Sequence, residues 1–157
     1  MVPSFQIFAL PKEEFNSLLA LNDDELKAKG GKRMVADDKP GFPCRVSLVD
    51  AEPGEKVLLL SYNHHNVDSP YRASGPVFVR ENAFTAHPKV NEIPEMIKCR
   101  LLSVRAYDSG AMLLNSEIVD GKNLEEYIDK IFADRRVKYL HLHNARPGCF
   151  NCRVERA

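Results

Sequence analysis

The chain has 157 residues, and its 22 basic side chains balance 22 acidic ones, so the formal net charge at pH 7 is zero. Hydrophobic residues make up 44% of the sequence and charged residues 28%, which is typical of a globular protein rather than a disordered one. Because no part of the sequence concentrates positive charge, we expect no nucleic-acid partner. The length predicts a single domain that spans residues 1–157.

The N-terminal stretch MVPSFQIFALPKEEF has no basic segment followed by a long apolar core, so it predicts no signal peptide. The longest aliphatic run, residues 57–60, is far shorter than the roughly 20 residues that cross a bilayer. We therefore expect a cytoplasmic protein without membrane contact. Its four cysteines are then expected to be reduced thiols.

Short strands and helices alternate in the first half of the chain. Residues 4–10 predict a first strand, Pro11 begins a predicted helix, and DDELKAK at 23–29 predicts a second short helix. Residues 44–49 and 56–62 predict a hairpin that is joined by the turn AEPGE. The second strand of this hairpin is apolar on both faces, so we expect it in the interior of a sheet.

The second half predicts more strands than helices. The predicted strands are residues 76–80, 101–107, 112–119, 137–145 and 149–155. A helical turn is expected at 95–99, and apolar residues at helical spacing predict an amphipathic helix over 124–132. The fold class is therefore α+β. We expect a largely antiparallel sheet built from hairpins, two or three short N-terminal or central helices, and one C-terminal amphipathic helix packed on the sheet.

The segment HLHNARPGCFNC at 141–152 carries most of the reactive side chains. Its two strands pair in one of two registers, which differ in loop length. A three-residue loop pairs Leu142 with Cys152, and a two-residue Pro-Gly loop shifts that pairing by one residue. Burial favours the first register and turn chemistry favours the second, and we adopt the first. One face then carries the apolar residues Leu140, Leu142, Phe150, Cys152 and Val154, and the other carries Tyr139, His141, His143, Cys149, Asn151 and Arg153.

Two histidines at alternate positions of a strand present their imidazoles side by side. His141 and His143 are therefore candidate metal ligands, with zinc or iron as the candidate metals. Such a site needs a third ligand. The candidates are Cys149, His64, His65 and His87.

A thiol offers a second chemistry. Cys149 is a candidate nucleophile with His143 as its base and Asn144 or Asn151 as the group that orients the base. Cys149 and Cys152 lie on opposite faces of a regular strand, so the C-x-x-C spacing does not favour a redox pair.

Arginines offer a third chemistry. Arg45, Arg105 and Arg153 lie on predicted strands and, with Tyr71 in the polar loop 63–74, are candidate binding residues for a small anionic ligand.

Five segments resemble one known family. They are GFPCRVSL (41–48), AEPGEKVLLLSY (51–62), PYRASGPVFVR (70–80), LLSVRAYD (101–108) and YLHLHNARPGCFNCRVERA (139–157). The chain is similar in them to the bacterial domain-of-unknown-function family twelve-hundred-and-three. The C-terminal pattern of that family resembles H-x-H-N-A-x-x-G-C-[FY], which falls here on His141, His143, Asn144, Gly148 and Cys149. The resemblance implies a small bacterial, cytoplasmic, single-domain protein, and it implies no activity.

Three functional hypotheses follow from these residues. The first is an enzyme, either metal-assisted or dependent on Cys149. The second is a non-catalytic module that binds a small anionic molecule or a protein partner through the arginines. The third is a homodimer that forms across the polar face of the last hairpin.

Overall fold

The computed structural model describes residues 4–157. The strands in this part of the chain are β1 (Phe5–Phe8), β2 (Lys32–Val35), β3 (Lys56–His65), β4 (Ala73–Arg80), β5 (Leu101–Tyr107), β6 (Leu113–Asp120), β7 (Tyr139–Asn144) and β8 (Phe150–Arg156). The α-helices are α1 (Asn16–Leu19), α2 (Asp23–Ala28), α3 (Glu95–Lys98) and α4 (Leu124–Phe132). Two short 3-10 turns precede α1 and α4, at Lys12–Phe15 and Gly121–Asn123.

The strands form two sheets. One has five strands in the order β1-β8-β7-β5-β6, and the other has three in the order β2-β3-β4. Every neighbouring pair within these sheets is antiparallel. The expected α+β class with a largely antiparallel sheet is confirmed, and α4 has the predicted bounds. The chain ends in a strand, β8, rather than in this helix.

The main core lies between the five-stranded sheet and the helices α3 and α4. Leu102, Leu140 and Leu142 of the sheet are fully buried, and so are Leu124 and Ile128 of α4. This packing follows from the two periodicities, because alternate strand residues and every third or fourth helix residue face the same layer. Within residues 4–157, no helix has the length and apolarity needed to cross a membrane.

Gly121 joins β6 to α4 at a point of close backbone approach. A Cβ atom at this position would lie 2.3 Å from the carbonyl oxygen of Ile97 and 2.8 Å from that of Arg100. The Gly121 amide also donates a hydrogen bond to the Arg100 carbonyl at 2.8 Å. Only a residue without a side chain lets the β6–α4 connection pack against α3 in this way.

The three-stranded sheet differs from the expected hairpin. β3 is the central strand, as expected from its two apolar faces, but its partners are β2 and β4. The predicted strand at 44–49 is wrong. This segment is a turn in which the Leu48 amide donates to the Cys44 carbonyl at 3.0 Å, and Leu48 has a φ of 52°. The segment resembles a strand because its apolar residues alternate in the sequence, but Cys44 and Val46 enter the core of the three-stranded sheet, whereas Leu48 enters the core of the five-stranded one.

The last hairpin combines the adopted register with a β-bulge. Leu142 pairs with Cys152 as expected, but the next pair is His143 with Phe150, so Asn151 is an extra residue in β8. Because of the bulge, the expectation that Phe150 lies on the apolar core face is wrong. Its ring leaves the apolar core face and packs against the histidines, with its centroid 5.0 Å from that of His141.

Candidate functional site

Two N–H donors from distant parts of the chain converge on the sulfur of Cys149. Nη2 of Arg45 lies 3.1 Å from Sγ, and Nδ2 of Asn144 lies 3.5 Å from it. Asn144 is held in turn by Asn151, whose Nδ2 donates to the Asn144 Oδ1 at 2.9 Å. The bulged residue of β8 therefore positions one of the two donors.

Arg45 is a fully buried cation, with 1% of its surface exposed. Its Nε donates to the Phe150 carbonyl at 2.8 Å and its Nη1 donates to the Pro43 carbonyl at 2.5 Å. Within residues 4–157 no carboxylate forms an ion pair with it. Burial lowers the pKa of Arg45, and the neighbouring Cys149 opposes that shift. A buried guanidinium stays charged, and the sulfur of Cys149 is the side-chain atom that lies against its Nη2.

A cleft of about 480 Å³ opens beside Cys149. We call it the arginine cleft, because Arg45, Arg100 and Arg146 line it together with Asn144 and Cys149. The charge of Arg100 is compensated, since its guanidinium forms a bidentate ion pair with Asp50 at 2.8 and 2.5 Å. Arg146 is exposed in the β7–β8 turn and has no acidic partner in the described part of the chain. The cleft is therefore a positively charged pocket with a thiol in its wall.

Four histidines cluster on the other side of the same hairpin. The ring centroid of His64, near the end of β3, lies 5.1 Å from that of His143 and 6.1 Å from that of His141. His65 packs against His141 at 4.7 Å. The Phe150 ring stacks on His64 at 5.1 Å with an interplanar angle of 10°. This aromatic packing removes water from the imidazoles.

Burial keeps three of these imidazoles neutral near pH 7. It lowers the pKa of His141 to about 2, and it lowers the pKa of both His64 and His143 to about 4. Nearby positive charge, including that of Arg105, lowers the pKa of His64 and His143 further. A neutral imidazole has one nitrogen that donates and one that accepts a hydrogen bond.

The neighbours of His143 and His65 determine which ring nitrogen donates a hydrogen bond and which accepts one. Nδ1 of His143 lies 2.9 Å from the Gly148 carbonyl, and a carbonyl oxygen only accepts, so Nδ1 carries the proton. The Nε2 lone pair of His143 is buried and has no partner among residues 4–157. His65 is satisfied at both nitrogens, because Nδ1 donates to the Tyr71 carbonyl at 2.8 Å and Nε2 accepts from the Tyr139 hydroxyl at 2.7 Å. His65 is therefore a structural residue, whereas His143 keeps a free base.

A second, smaller cavity of about 240 Å³ adjoins these histidines. We call it the histidine cavity, because its walls include His64, His143, Arg105 and Phe150. The arginine cleft and the histidine cavity both reach the β7–β8 turn at Pro147 and Cys149. Two separate polar cavities therefore meet at this hairpin.

The metal hypothesis lacks a third ligand. His141 and His143 share a face of β7, as expected, with ring centroids 6.3 Å apart. Across residues 4–157, no three His, Cys, Asp or Glu side chains are placed so that they could hold one metal ion. Zinc or iron at His141 and His143 would need a rearrangement of their neighbours.

The other candidate residues are distributed over both cavities and their surroundings. Asn144 contacts Cys149, whereas His143 forms no hydrogen bond with this thiol in the described residues, and Arg45 contacts the sulfur instead. Arg105 lines the histidine cavity. Arg153 stacks over the Tyr139 ring, 4.0 Å from its centroid.

Tyr71 lies apart from both cavities. It is exposed, and its ring contacts Tyr107 edge-on at 6.1 Å. Sequence reasoning missed Arg100 and Arg146. Arg146 was detectable as a cation three residues from Cys149, but nothing in the sequence indicated that Arg100 lies nearby.

A family model described as "Protein of unknown function (DUF1203)" matches residues 41–156. The matched range contains the polar residues of both cavities, from Arg45 to Cys149. No curated protein and no solved structure matches the chain.

Proposed function

The chain belongs to the DUF1203 family, and from the geometry around Cys149 we propose that it is an enzyme whose thiol attacks a small anionic substrate. One observation carries this proposal. Two N–H donors converge on a sulfur in the wall of an open cleft, and one of them is a buried guanidinium that has no carboxylate partner among residues 4–157.

This arrangement suits a thiolate better than a thiol. The thiolate is the nucleophilic form of cysteine, and it is a strong acceptor, whereas a thiol accepts hydrogen bonds only weakly. Arg45 supplies a charge-assisted hydrogen bond, and Asn144 supplies a second one that fixes the direction of the sulfur. Arg45 therefore has the activating role for which the sequence suggested His143.

The cleft determines the substrate class. Arg146 has no acidic partner among the described residues and lies at the mouth of the cleft, where it attracts an anion toward Sγ. In the reaction, Sγ forms a bond to the electrophilic atom of the substrate, and the leaving group departs with the electron pair of the bond that breaks. The oxygen of water then bonds to the same atom, the bond to Sγ breaks with its electron pair returning to the sulfur as thiolate, and the proton of water passes to the solvent.

A pair of small electrophiles tests this proposal. Iodoacetate and iodoacetamide alkylate thiols by the same displacement of iodide, but only iodoacetate is an anion. In a Cys99→Ser background, which removes the other thiol of the cleft, Cys149 should react with both. Relative to the same ratio for glutathione, the rate ratio of iodoacetate to iodoacetamide at Cys149 should be about tenfold higher.

Matched variants assign the effect to the cleft. Arg146→Gln should lower the ratio and leave the iodoacetamide rate nearly unchanged. Arg135→Gln removes the same charge from an exposed position outside the cleft and should leave the ratio as it is. A ratio equal to that of glutathione, or a Cys149 that reacts with neither reagent, would overturn the proposal.

Turnover is tested with an anionic ester. Release of 4-nitrophenol from mono-4-nitrophenyl succinate should begin with a burst that is stoichiometric with the protein, as expected for an acyl-thiol intermediate. Cys149→Ser should abolish this burst, and Cys152→Ser should retain it. A steady release that is unaffected by Cys149→Ser would exclude the thiol as the nucleophile.

A further inference from the structure

The histidine cavity adjoins the arginine cleft at Pro147 and Cys149, but Arg105 and His143 belong to its wall alone. We propose that it binds a small oxyanion that carries its own O–H group, of the kind represented by hydrogen phosphate and by 2-hydroxycarboxylates. In the part of the chain that the structure describes, this cavity has a cationic side chain without an acidic partner and a buried base without a donor. A ligand of this class satisfies both.

Arg105 provides the cation. It is half-buried on β5, and Nε donates to the Ser103 hydroxyl at 3.3 Å. Within the described range, 4–157, no carboxylate lies within ion-pair distance of Arg105. Arg153 points to the same face of the sheet but is already engaged, since it pairs with Glu155 at 2.8 Å and stacks on Tyr139. Arg105 is therefore the guanidinium of this face that is free for a ligand, and guanidinium groups prefer oxyanions.

His143 provides the base. It is 98% buried (2% of its surface is exposed), it lines the cavity, and its Nε2 has no partner in the described chain. The bond from Nδ1 to the Gly148 carbonyl fixes the tautomer, so Nε2 offers only a lone pair. A buried acceptor without a donor is unfavourable, and a ligand O–H removes that cost. Nδ1 of His64 is buried in the same wall and is likewise without a partner.

The ligand must carry a negative charge for Arg105 and an O–H group for His143, and these two requirements distinguish between similar anions. Sulfate has the charge of hydrogen phosphate but no proton to donate to His143. Methoxyacetate has the carboxylate of glycolate but not its hydroxyl. The lowered pKa of His143, about 4, keeps Nε2 unprotonated at neutral pH, so the lone pair is available. The cavity volume of about 240 Å³ leaves room for an anion of this size.

Binding of these four anions, measured by titration calorimetry near pH 7.5, tests the proposal. Hydrogen phosphate or glycolate should bind about tenfold more tightly than its partner without an O–H, as expected for one unmade hydrogen bond to a buried group. If hydrogen phosphate binds more tightly than sulfate, but glycolate binds no more tightly than methoxyacetate, the natural ligand is a phosphate. The reverse result indicates a hydroxycarboxylate. Equal affinities within both pairs, or no binding up to the millimolar range, would overturn the proposal.

Variants connect the binding to these residues. Arg105→Met should abolish binding, whereas Arg153→Met, which removes a guanidinium from the same face but from outside the cavity, should retain it. The imidazole nitrogen resonances of the wild-type protein give a readout that does not depend on the folding of a variant, since the His143 Nε2 signal should move when the anion is added. Binding that survives Arg105→Met, or anion addition that leaves this signal unmoved, would also overturn the proposal.

This site is independent of the proposed thiol chemistry. Arg146→Gln, which alters the arginine cleft but not the wall of the histidine cavity, should bind the anion as the wild type does, and Arg105→Met should keep the ratio of iodoacetate to iodoacetamide reactivity at Cys149. Either proposal can therefore fail without the other.

Discussion

Nη2 of Arg45 lies 3.1 Å from Sγ of Cys149, although 104 residues separate them in the chain. The Arg45 side chain also bonds the Phe150 carbonyl of β8, and its backbone amide bonds the Phe78 carbonyl of β4 at 3.0 Å. This one residue therefore connects the two sheets at the point where the thiol is held. Under the proposed function, stability and reactivity depend on the same side chain.

Arg45→Met should strongly destabilise the protein. The substitution keeps most of the buried volume but removes three hydrogen bonds, and it leaves the carbonyls of Pro43 and Phe150 without their donor. We expect a loss of about 3–5 kcal/mol in the free energy of unfolding, measured by urea denaturation. Arg135→Met, at an exposed position, is the control and should change it little. A loss below about 1 kcal/mol for Arg45→Met would show that the contacts around Arg45 are weak.

The sequence predicted the five-stranded sheet better than the region between the sheets. β5 has the bounds that alternation predicted, and α4 has the bounds that helical spacing predicted, because each element buries one continuous face against one core. The alternate apolar residues of segment 44–49 enter two different cores, so the sequence pattern resembles a strand although the backbone turns. Local periodicity cannot separate these two cases.

The candidate site was predicted in its residue types but not in its geometry. A single bulge at Asn151 turned the Phe150 ring toward the histidines and placed Cys149 beside Arg45. A bulge changes the face of the sheet on which a side chain lies, and no turn residue in HLHNARPGCFNC predicts this bulge. The contact between Arg45 and Cys149 depends on long-range packing, which one sequence does not reveal.

Gly121→Ala should destabilise the connection between β6 and α4. Its Cβ would lie 2.3 Å from the Ile97 carbonyl oxygen, and because the obstacle is backbone, the chain itself must move. We expect a loss of about 3 kcal/mol in the free energy of unfolding. Gly75→Ala is the matched control, since the nearest atom to its Cβ would be 3.9 Å away. Equal melting temperatures for the two variants would contradict the close approach at Gly121.

The four thiols should differ in reactivity. Cys99 is exposed and Cys149 is partly exposed, whereas Cys44 and Cys152 are buried. Burial also raises the pKa of Cys152, which disfavours its reactive thiolate. Limiting iodoacetamide should therefore modify Cys99 and Cys149 well before Cys152, and mild oxidation should not join Cys149 to Cys152. Peptide mapping by mass spectrometry measures both outcomes, and early modification of Cys152 would mean that the β7–β8 register is wrong.

The buried histidines should make the protein sensitive to mild acid. In the folded state burial holds the pKa of His141 at about 2 and that of His143 at about 4, below the value of about 6.5 for an unfolded histidine. As the pH falls below about 6.5, the unfolded chain takes up protons that the folded one does not, so unfolding becomes more favourable. The stability that the fold has with both histidines neutral is fully present above about pH 6.5. It is lost toward about pH 4 for His143, and further down for His141.

Each of these two histidines should cost about 1.4 kcal/mol per pH unit below 6.5, or about 2 kcal/mol at pH 5. His64 adds less, because it is only partly buried. Urea unfolding near pH 7.5 and near pH 5 measures the difference, and His143→Gln should reduce it by about one histidine's share. His87→Gln is the control, because His87 is exposed and lies outside the cluster. Two results would contradict this: the same wild-type free energy of unfolding at both pH values, or a pH dependence that His87→Gln lowers as much as His143→Gln does. Either would mean that water reaches the histidine cluster. Nε2 of His143 would then not be the buried free base from which the anion site was inferred.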